Sequence, residues 1–330
     1  MGNFALIPLP LLRRMMRSSS TIGIFWLSEW LTFGARQHEA LREVAAELLW
    51  GLRGGGGNFG VVTKFSYRLL EVGPQLTGAT VMYPLDNARE VLRAWHTFTR
   101  TAPDEVSSAF MIWQISPVPG FFPAELHGQN VCIVDAPYAG DPRTGAAIVQ
   151  PLRQLAEPLL DLSGIQSYVE MQSAFDALAP AHIQRYYWKS LNARELTDDL
   201  MDRIIAHGRT RPSPQILFVI RHLGGAMGRV PAEATAFGDR SAQYNISIDS
   251  TWVDPAEDEL NINWTRMVWD DLRHYSDGGV YLNFPGFQEE GQALMRAQFG
   301  RNYERLVALK QQYDPTNLFR LNQNIAPKHT

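Results

Sequence analysis

Gly54, Gly55, Gly56 and Gly57 stand in an unbroken row, followed by Asn58, Phe59 and Gly60. Consecutive glycines lose much conformational entropy on folding, so a chain that keeps four of them needs its backbone to pass close to something. A row of bare amides can also cradle anionic oxygens without a helix N-terminus. Residues 55–60 match G-x-G-x-x-G, but that dinucleotide fingerprint requires a strand before the glycines and a helix after them. Here the order reads helix, glycines, strand. A Rossmann site is therefore rejected, and a ligand loop is favoured over a plain flexible turn.

Tyr281 and Asn283 form a second group. On a strand over 280–284 they point to the same face, and a phenol beside an amide can bind a polar ligand. From the residues alone, a pair that satisfies itself is the stronger reading. Near the C-terminus Asn322, Gln323 and Asn324 place three amides in a row. These are good hydrogen-bonders and poor helix or strand formers; a solvated tail is the alternative.

Several other chemistries lack their residues. The eight histidines form no HxH or HExxH pair, and Cys132 is the single cysteine, so no metal site, disulfide framework or CxxC redox pair is expected. No G-x-S-x-G nucleophile elbow occurs. Asp198-Asp199 and Asp270-Asp271 read as solvated helix faces rather than acid/base dyads.

The elements that must position these groups follow from periodicity. A helical pattern over 39–50 ends at the glycines, and strands are expected at 61–69, 76–83, 106–115, 130–138, 215–221, 244–252 and 280–284. Helices are expected after Asp86, from Asp141-Pro142 to 155, at 198–207, after Asp254-Pro255, at 288–299 and at 302–313. An Asp-Pro pair supplies a capping side chain and then a proline at the first helical position. Strands come in pairs between helices, which predicts an α+β fold: a largely antiparallel sheet with helices on one face.

The 330 residues are 45% hydrophobic and 19% charged, enough for a sizeable core. The net charge of −4 supplies no basic field, so nucleic acid is not an expected partner. No apolar run reaches the ~18 residues that a membrane span needs. The N-terminal apolar stretch precedes its charges, the reverse of a secretory signal, so a cytoplasmic location is the default. Phe25, Trp26, Trp30 and Phe33 make residues 22–34 a sticky segment, with self-association as a possible outcome.

Taken together, the motifs resemble the berberine-bridge-enzyme-like, FAD-linked oxidases. Trp50 to Thr63, reading WGLRGGGGNFGVVT, is similar to the segment that closes their flavin-binding domain. Tyr281-Leu282-Asn283-Phe284 is similar to their YxNY/F strand. Tyr303 to Lys310, Tyr313 to Arg320 and Asn322 to Ile325 resemble their C-terminal berberine-like segment. Tyr187-Trp188-Lys189, and Thr235-Ala236-Phe237 with Arg240, also fit. The resemblance covers about residues 47–327.

The resemblance implies a domain order. Residues 1–46 would be an atypical N-terminal segment, 47–72 the end of a FAD-binding domain, 73–280 a substrate domain and 281–330 a berberine-like C-terminal segment. It implies FAD, packed against the backbone of Gly54, Gly55, Gly56, Gly57, Asn58, Gly60 and Val61, with Asn283, Asn322 and Gln323 helping to hold it. Tyr281 would be the base on a small-molecule substrate, an alcohol or sugar-like hydroxyl oxidised by hydride transfer to flavin, with O2 as electron acceptor. Some members carry an acidic residue where this chain has Asn245, and an amide cannot take the proton, which leaves Tyr281 as the base. The family's upstream segment, with its pyrophosphate loop and its flavin-attaching His and Cys, has no counterpart in residues 1–46. Cys132 is not the attachment cysteine. The alternative expectation is therefore a non-catalytic remnant that does not retain FAD.

Overall fold

The computed structural model describes residues 3–5, 46–66, 72–118 and 122–328, except 175, 181, 239, 277, 280, 282, 285–290 and 322. They divide into two compact units. One comprises the described residues up to 66, Val230–Arg240 and the C-terminal stretch after 290; the other comprises Glu71–Arg229 and Ser241–Gln288. Residues 22–34, on which the self-association expectation falls, lie outside the described residues.

The larger unit is built on one sheet. Its strands are β3 (Gln75–Pro84), β4 (Ala109–Gln114), β5 (Asn130–Tyr138), β6 (Leu160–Asp161), β7 (Gly164–Ser167), β8 (Arg185–Ala193), β9 (Leu217–His222) and β10 (Tyr244–Trp252). Their order across the sheet is β6-β3-β5-β4-β9-β10-β8, with β7 also on β3. Every one of these pairings is antiparallel, as the paired strands between helices predict.

One face of the sheet is apolar and covered by helices. Tyr83, Phe110, Val134, Leu191, Ile220 and Ile246 pack there against Val91, Leu92 and Trp95 of α2 (Ala88–Thr99), Leu200 and Ile204 of α5 (Asp198–Arg209), and Val268 and Leu272 of α6 (Asp258–Leu272). Burying such side chains contributes ~1.5–3 kcal/mol each. The Asp-Pro signals work as expected. Asp141 accepts from the Arg143 amide at 2.8 Å to open α3 (Pro142–Val149), and Asp254 accepts from the Ala256 amide at 2.9 Å ahead of α6. Asp86 does not cap α2; it lies inside a 3-10 turn, Leu85–Asn87, and caps nothing.

In the smaller unit β1 (Asn3–Ala5) pairs antiparallel with β2 (Lys64–Ser66). A helix over 46–52 (α1), α7 (Gln292–Phe299) and α8 (Tyr303–Tyr313) enclose Leu48, Trp50, Phe59, Phe299, Leu306 and Ile325. Two sequence expectations change. Of the strand expected over 61–69, Lys64–Ser66 form it and 61–63 do not, while 67–69 lie outside the described residues. Of the strand expected over 280–284, the described residues Tyr281, Asn283 and Phe284 are not in strand: Phe284 N–H donates to the Tyr281 carbonyl at 2.9 Å, which closes a turn, and 280 and 282 lie outside the described residues.

Candidate functional site

The sheet's second face carries the polar groups. β10 alternates strictly, with Tyr244, Ile246 and Ile248 on the helix side and Asn245, Ser247 and Asp249 on the other. Such alternation ordinarily marks a strand with one wet face. Here all nine residues of β10 are buried, the polar ones included. Register sets the neighbours: Asn245 lies opposite Asn192 of β8 and Arg221 of β9, Ser247 opposite Ser190, and Asp249 opposite Trp188.

Arg221 reaches along this face. Its Nη1 donates to Ser247 Oγ at 2.7 Å and its Nη2 meets Asp249 Oδ2 at 3.4 Å. Burial pushes the Asp249 carboxyl above the ordinary carboxylate range, and Arg221 and Ser247 offset only part of that. Asn245 Nδ2 donates to Asn192 Oδ1 at 3.0 Å. Four buried atoms on these two strands have no hydrogen-bond partner: Trp188 Nε1, Ser190 Oγ, Asn245 Oδ1 and Asp249 Oδ1. Buried polar atoms in native proteins are nearly always satisfied, so four on one face mark a place that a ligand or water fills.

The 281–284 turn covers part of this face. Ser190 N–H donates to the Phe284 carbonyl at 3.1 Å, and Asn192 N–H to the Gly279 carbonyl at 3.3 Å. The Phe284 ring lies 5.2 Å from the Arg221 guanidinium carbon and 5.5 Å from the Trp188 ring. Tyr281 packs edge-on to Phe284 at 5.5 Å, and Asn283 Nδ2 donates to the Tyr281 hydroxyl at 2.7 Å. Tyr281 and Asn283 are therefore adjacent, through a turn rather than a strand face. Asn245 serves the polar network as an amide.

In the smaller unit the glycine row splits into two roles. A Cβ on Gly54 (φ +128°) would sit 2.3 Å from the Phe237 backbone nitrogen, and one on Gly55 would sit 2.4 Å from the Gly51 carbonyl oxygen. Both glycines answer to the protein's own backbone, for Ala236 N–H donates to Trp50 O and Phe237 N–H to Arg53 O, each at 3.1 Å. Gly56 and Gly57 are exposed and Val61 is 69% exposed, so their backbone is open to a ligand; Gly60 is half-buried.

The Asn58 side chain is held within the protein itself. Its Nδ2 donates to Gly55 O at 2.9 Å and to Gln323 O at 3.0 Å, while its Oδ1 accepts from Ile325 N–H at 2.8 Å. Both of its N–H groups are thus used, and the side chain ties the glycine row to the C-terminal segment. Beside it lies Lys310, fully buried, with its three protons directed to Asn58 O, Asp314 Oδ2 and Phe319 O at 2.9, 2.7 and 2.8 Å. Asp314 also accepts from the Leu318 and Phe319 amides. Nothing in the sequence flagged Lys310 except its place within the berberine-like segment.

Gln323 Oε1 and Asn324 Oδ1 are buried and lack donors. Acceptors of this kind fit a ligand that brings N–H or O–H groups, as the ring and ribityl parts of FAD do. With the open backbone at Gly56, Gly57 and Val61, the residues fit a flavin contact. Asn322 lies outside the described residues. Among the described residues no cluster could hold a metal ion and no helix is long and apolar enough to cross a membrane.

The family model described as berberine and berberine like matches residues 280–326. A FAD-linked oxidoreductase of Dictyostelium discoideum is 28% identical over 287 residues, covering 85% of this chain and 58% of the relative. A xylooligosaccharide oxidase of Thermothelomyces thermophilus is 24% identical over 310 residues, covering 85% and 58%. The chain thus spans 58% of the length of these two relatives. The solved structure of Physcomitrella patens BBE-like 1 shares the fold, with a TM-score of 0.72 at 19% identity over 86% of this chain and 61% of that one. Residues 280–326 thus carry a berberine-like match, and most of the chain is similar to FAD-linked oxidoreductases of the berberine-bridge-enzyme-like kind.

Proposed function

We propose that the protein acts as a FAD-dependent oxidoreductase on a hydroxyl of a small, sugar-like molecule. The observation that carries this reading is the enclosed polar face of β8 and β10, where four buried atoms await partners next to the Tyr281 turn. The relative that is a xylooligosaccharide oxidase supports the sugar-like class. FAD, when bound, supplies the hydride acceptor, and the protein binds and orients. Gly56, Gly57, Gly60, Val61, Gln323 and Asn324 would hold it.

The chain's own part is proton handling. Oxidising an alcohol requires its hydroxyl proton to leave as the hydride leaves the carbon. The Tyr281 oxygen is the acceptor we assign, taking the substrate proton to become the phenol when it carries none of its own. The Asn283 amide donates to that same oxygen and fixes its position. General-base catalysis of this kind contributes ~100- to 10,000-fold. O2 is the proposed final acceptor.

The test is direct. The purified chain, alone and after incubation with FAD, is passed through gel filtration and its flavin absorption recorded. Retained flavin bleached anaerobically by xylobiose or glucose, with peroxide formed on readmitting air, is the expected result. A folded chain that takes up no flavin would overturn the reading and leave a non-catalytic member of the family.

A further inference from the structure

Register lines up six side chains in one row across the second face of the sheet: Thr80 of β3, Asp135 of β5, Ala109 of β4, Arg221 of β9, Asn245 of β10 and Asn192 of β8. All except Asn245 are half-buried, whereas the next row, from Met82 to Ser190, is buried throughout. Solvent therefore reaches this row and not its neighbour. Its two charged members, Asp135 and Arg221, stand two strand spacings apart, roughly 9.5 Å. Ala109, between them, contributes only a methyl group.

Arg221 is the donor end. Its side chain is 35% exposed. Ser247 and Asp249 take two of its five N–H groups, which leaves three uncommitted among the described residues. Ser247 and the Phe284 ring, 5.2 Å from the guanidinium carbon, fix the head in place. The Asp249 side chain is only 7% exposed and meets one Nη at 3.4 Å, so it offsets the guanidinium charge from the buried side and only in part. At the acceptor end Thr80 Oγ1 donates to Asp135 Oδ1 at 2.7 Å. Asp135 Oδ2 has no partner among the described residues.

These two ends select a guest by elimination. A half-exposed guanidinium with unspent N–H groups suits a carboxylate, which accepts two parallel bonds from it. A second carboxylate at the far end would meet the like charge of Asp135, so the guest carries one. A hydroxyl there can donate to Asp135 Oδ2. An ammonium at Arg221 is repelled, and a neutral sugar leaves the Arg221 charge unmatched.

We propose that Arg221 binds a carboxylate of the substrate while Asp135 accepts from a hydroxyl further along it, so that the preferred substrate is a sugar acid with one carboxylate. This deepens the proposed function and rests on it only in calling the ligand a substrate.

Equilibrium binding tests the pair without turnover. The full chain is titrated calorimetrically with glucuronate and with glucuronamide, its neutral isostere. The parent should bind glucuronate about tenfold more tightly, a margin that a charge-assisted bidentate pair supplies. Arg221→Gln should bring the two ligands within about twofold of each other, because the charge and the fork are both gone. Asp135→Ala should weaken glucuronamide by about threefold or more, through the lost hydroxyl bond. A parent that binds neither ligand or binds both alike overturns the proposal. So does a preference that survives in Arg221→Gln, or a glucuronamide affinity unchanged in Asp135→Ala. Should circular dichroism show Arg221→Gln unfolded, Arg221→Lys decides in its place. It keeps the charge but loses the planar fork, so the preference should fall by about threefold or more, and an unchanged preference overturns the proposal. Glucuronate bound with this preference by a chain that takes up no flavin would uphold the Arg221 assignment while the proposed activity fails.

Discussion

Asn283 donates from Nδ2 to the Tyr281 hydroxyl at 2.7 Å, within a turn closed by the Phe284 amide on the Tyr281 carbonyl. The amide thereby fixes the position of the one oxygen to which proton transfer is assigned. Tyr281→Phe retains the ring and its packing on Phe284 but removes the acceptor. With flavin bound, the rate of its reduction by substrate should fall ~100- to 10,000-fold while flavin content stays nearly unchanged. Asn283→Ala should cost less, about tenfold, since it removes one neutral hydrogen bond to that oxygen. Anaerobic stopped-flow reduction reads both; a Phe variant within threefold of the parent rejects Tyr281 as base.

The Lys310 cluster yields a stability prediction. A fully buried ammonium that satisfies Asn58 O, Asp314 and Phe319 O is costly to orphan from either side. Burial pushes the Lys310 ammonium down, and Asp314 opposes that shift. Lys310→Met leaves the buried Asp314 carboxylate without its counter-charge, held by two amides alone, and takes the ammonium from two carbonyls, and should destabilise by ~3–5 kcal/mol. Urea unfolding followed by Trp fluorescence measures it; a loss below about 1 kcal/mol would mean the cluster is wet.

The fold was legible where a single periodicity decides it, and illegible where partners lie far along the chain. β10 stands out in the sequence because Ile246 and Ile248 alternate with Ser247 and Asp249. β8 does not, because Lys189 occupies its helix-side face, held over the Trp269 ring at 4.2 Å, and breaks the apolar alternation. The segment 280–284 reads as a strand from its apolar, aromatic composition, yet its described residues Tyr281, Asn283 and Phe284 form a turn, with Phe284 held by Ser190 and Arg221. The glycine row announced a close approach. That Gly54 approaches Phe237, almost two hundred residues later, needed the structure. The unpartnered atoms of β8 and β10 had no sequence signal, since they exist only through register.

The same split predicts opposite behaviour within the glycine row. Gly54→Ala would drive a Cβ into the Phe237 backbone at a φ of +128° and should destabilise by at least ~2–3 kcal/mol. Gly56→Ala meets only Asn58 Nδ2, at 3.8 Å, and pays about 1–2 kcal/mol for its φ of +68° alone. If the exposed backbone at Gly56 touches flavin, that variant should nonetheless lose FAD affinity severalfold while remaining folded. Thermal melts paired with FAD titration separate the two; equal destabilisation of both variants would contradict the assignment.

Asp249 gives a pH-dependent signature whose sign is fixed by its raised pKa. An unfolded aspartate titrates near ~3.9. In the folded protein burial raises that value, so between the two the native state binds the proton more tightly than the unfolded chain. Stability contributed at this site is therefore greatest below ~3.9 and is lost as pH rises through the folded value, which leaves a buried carboxylate as a net cost at neutrality. Asp249→Asn removes that cost and leaves Arg221 its bonds to Ser247 and to an amide oxygen. The variant should be more stable than the parent at pH 7, by about 1 kcal/mol or roughly 2–4 °C in melting temperature. The gap should narrow as pH is lowered through the raised folded value, as the parent carboxyl takes up its proton. Differential scanning calorimetry from pH 4 to 8 on both proteins reads the gap directly, and a variant less stable than its parent at pH 7 would show that Arg221 compensates the Asp249 charge fully.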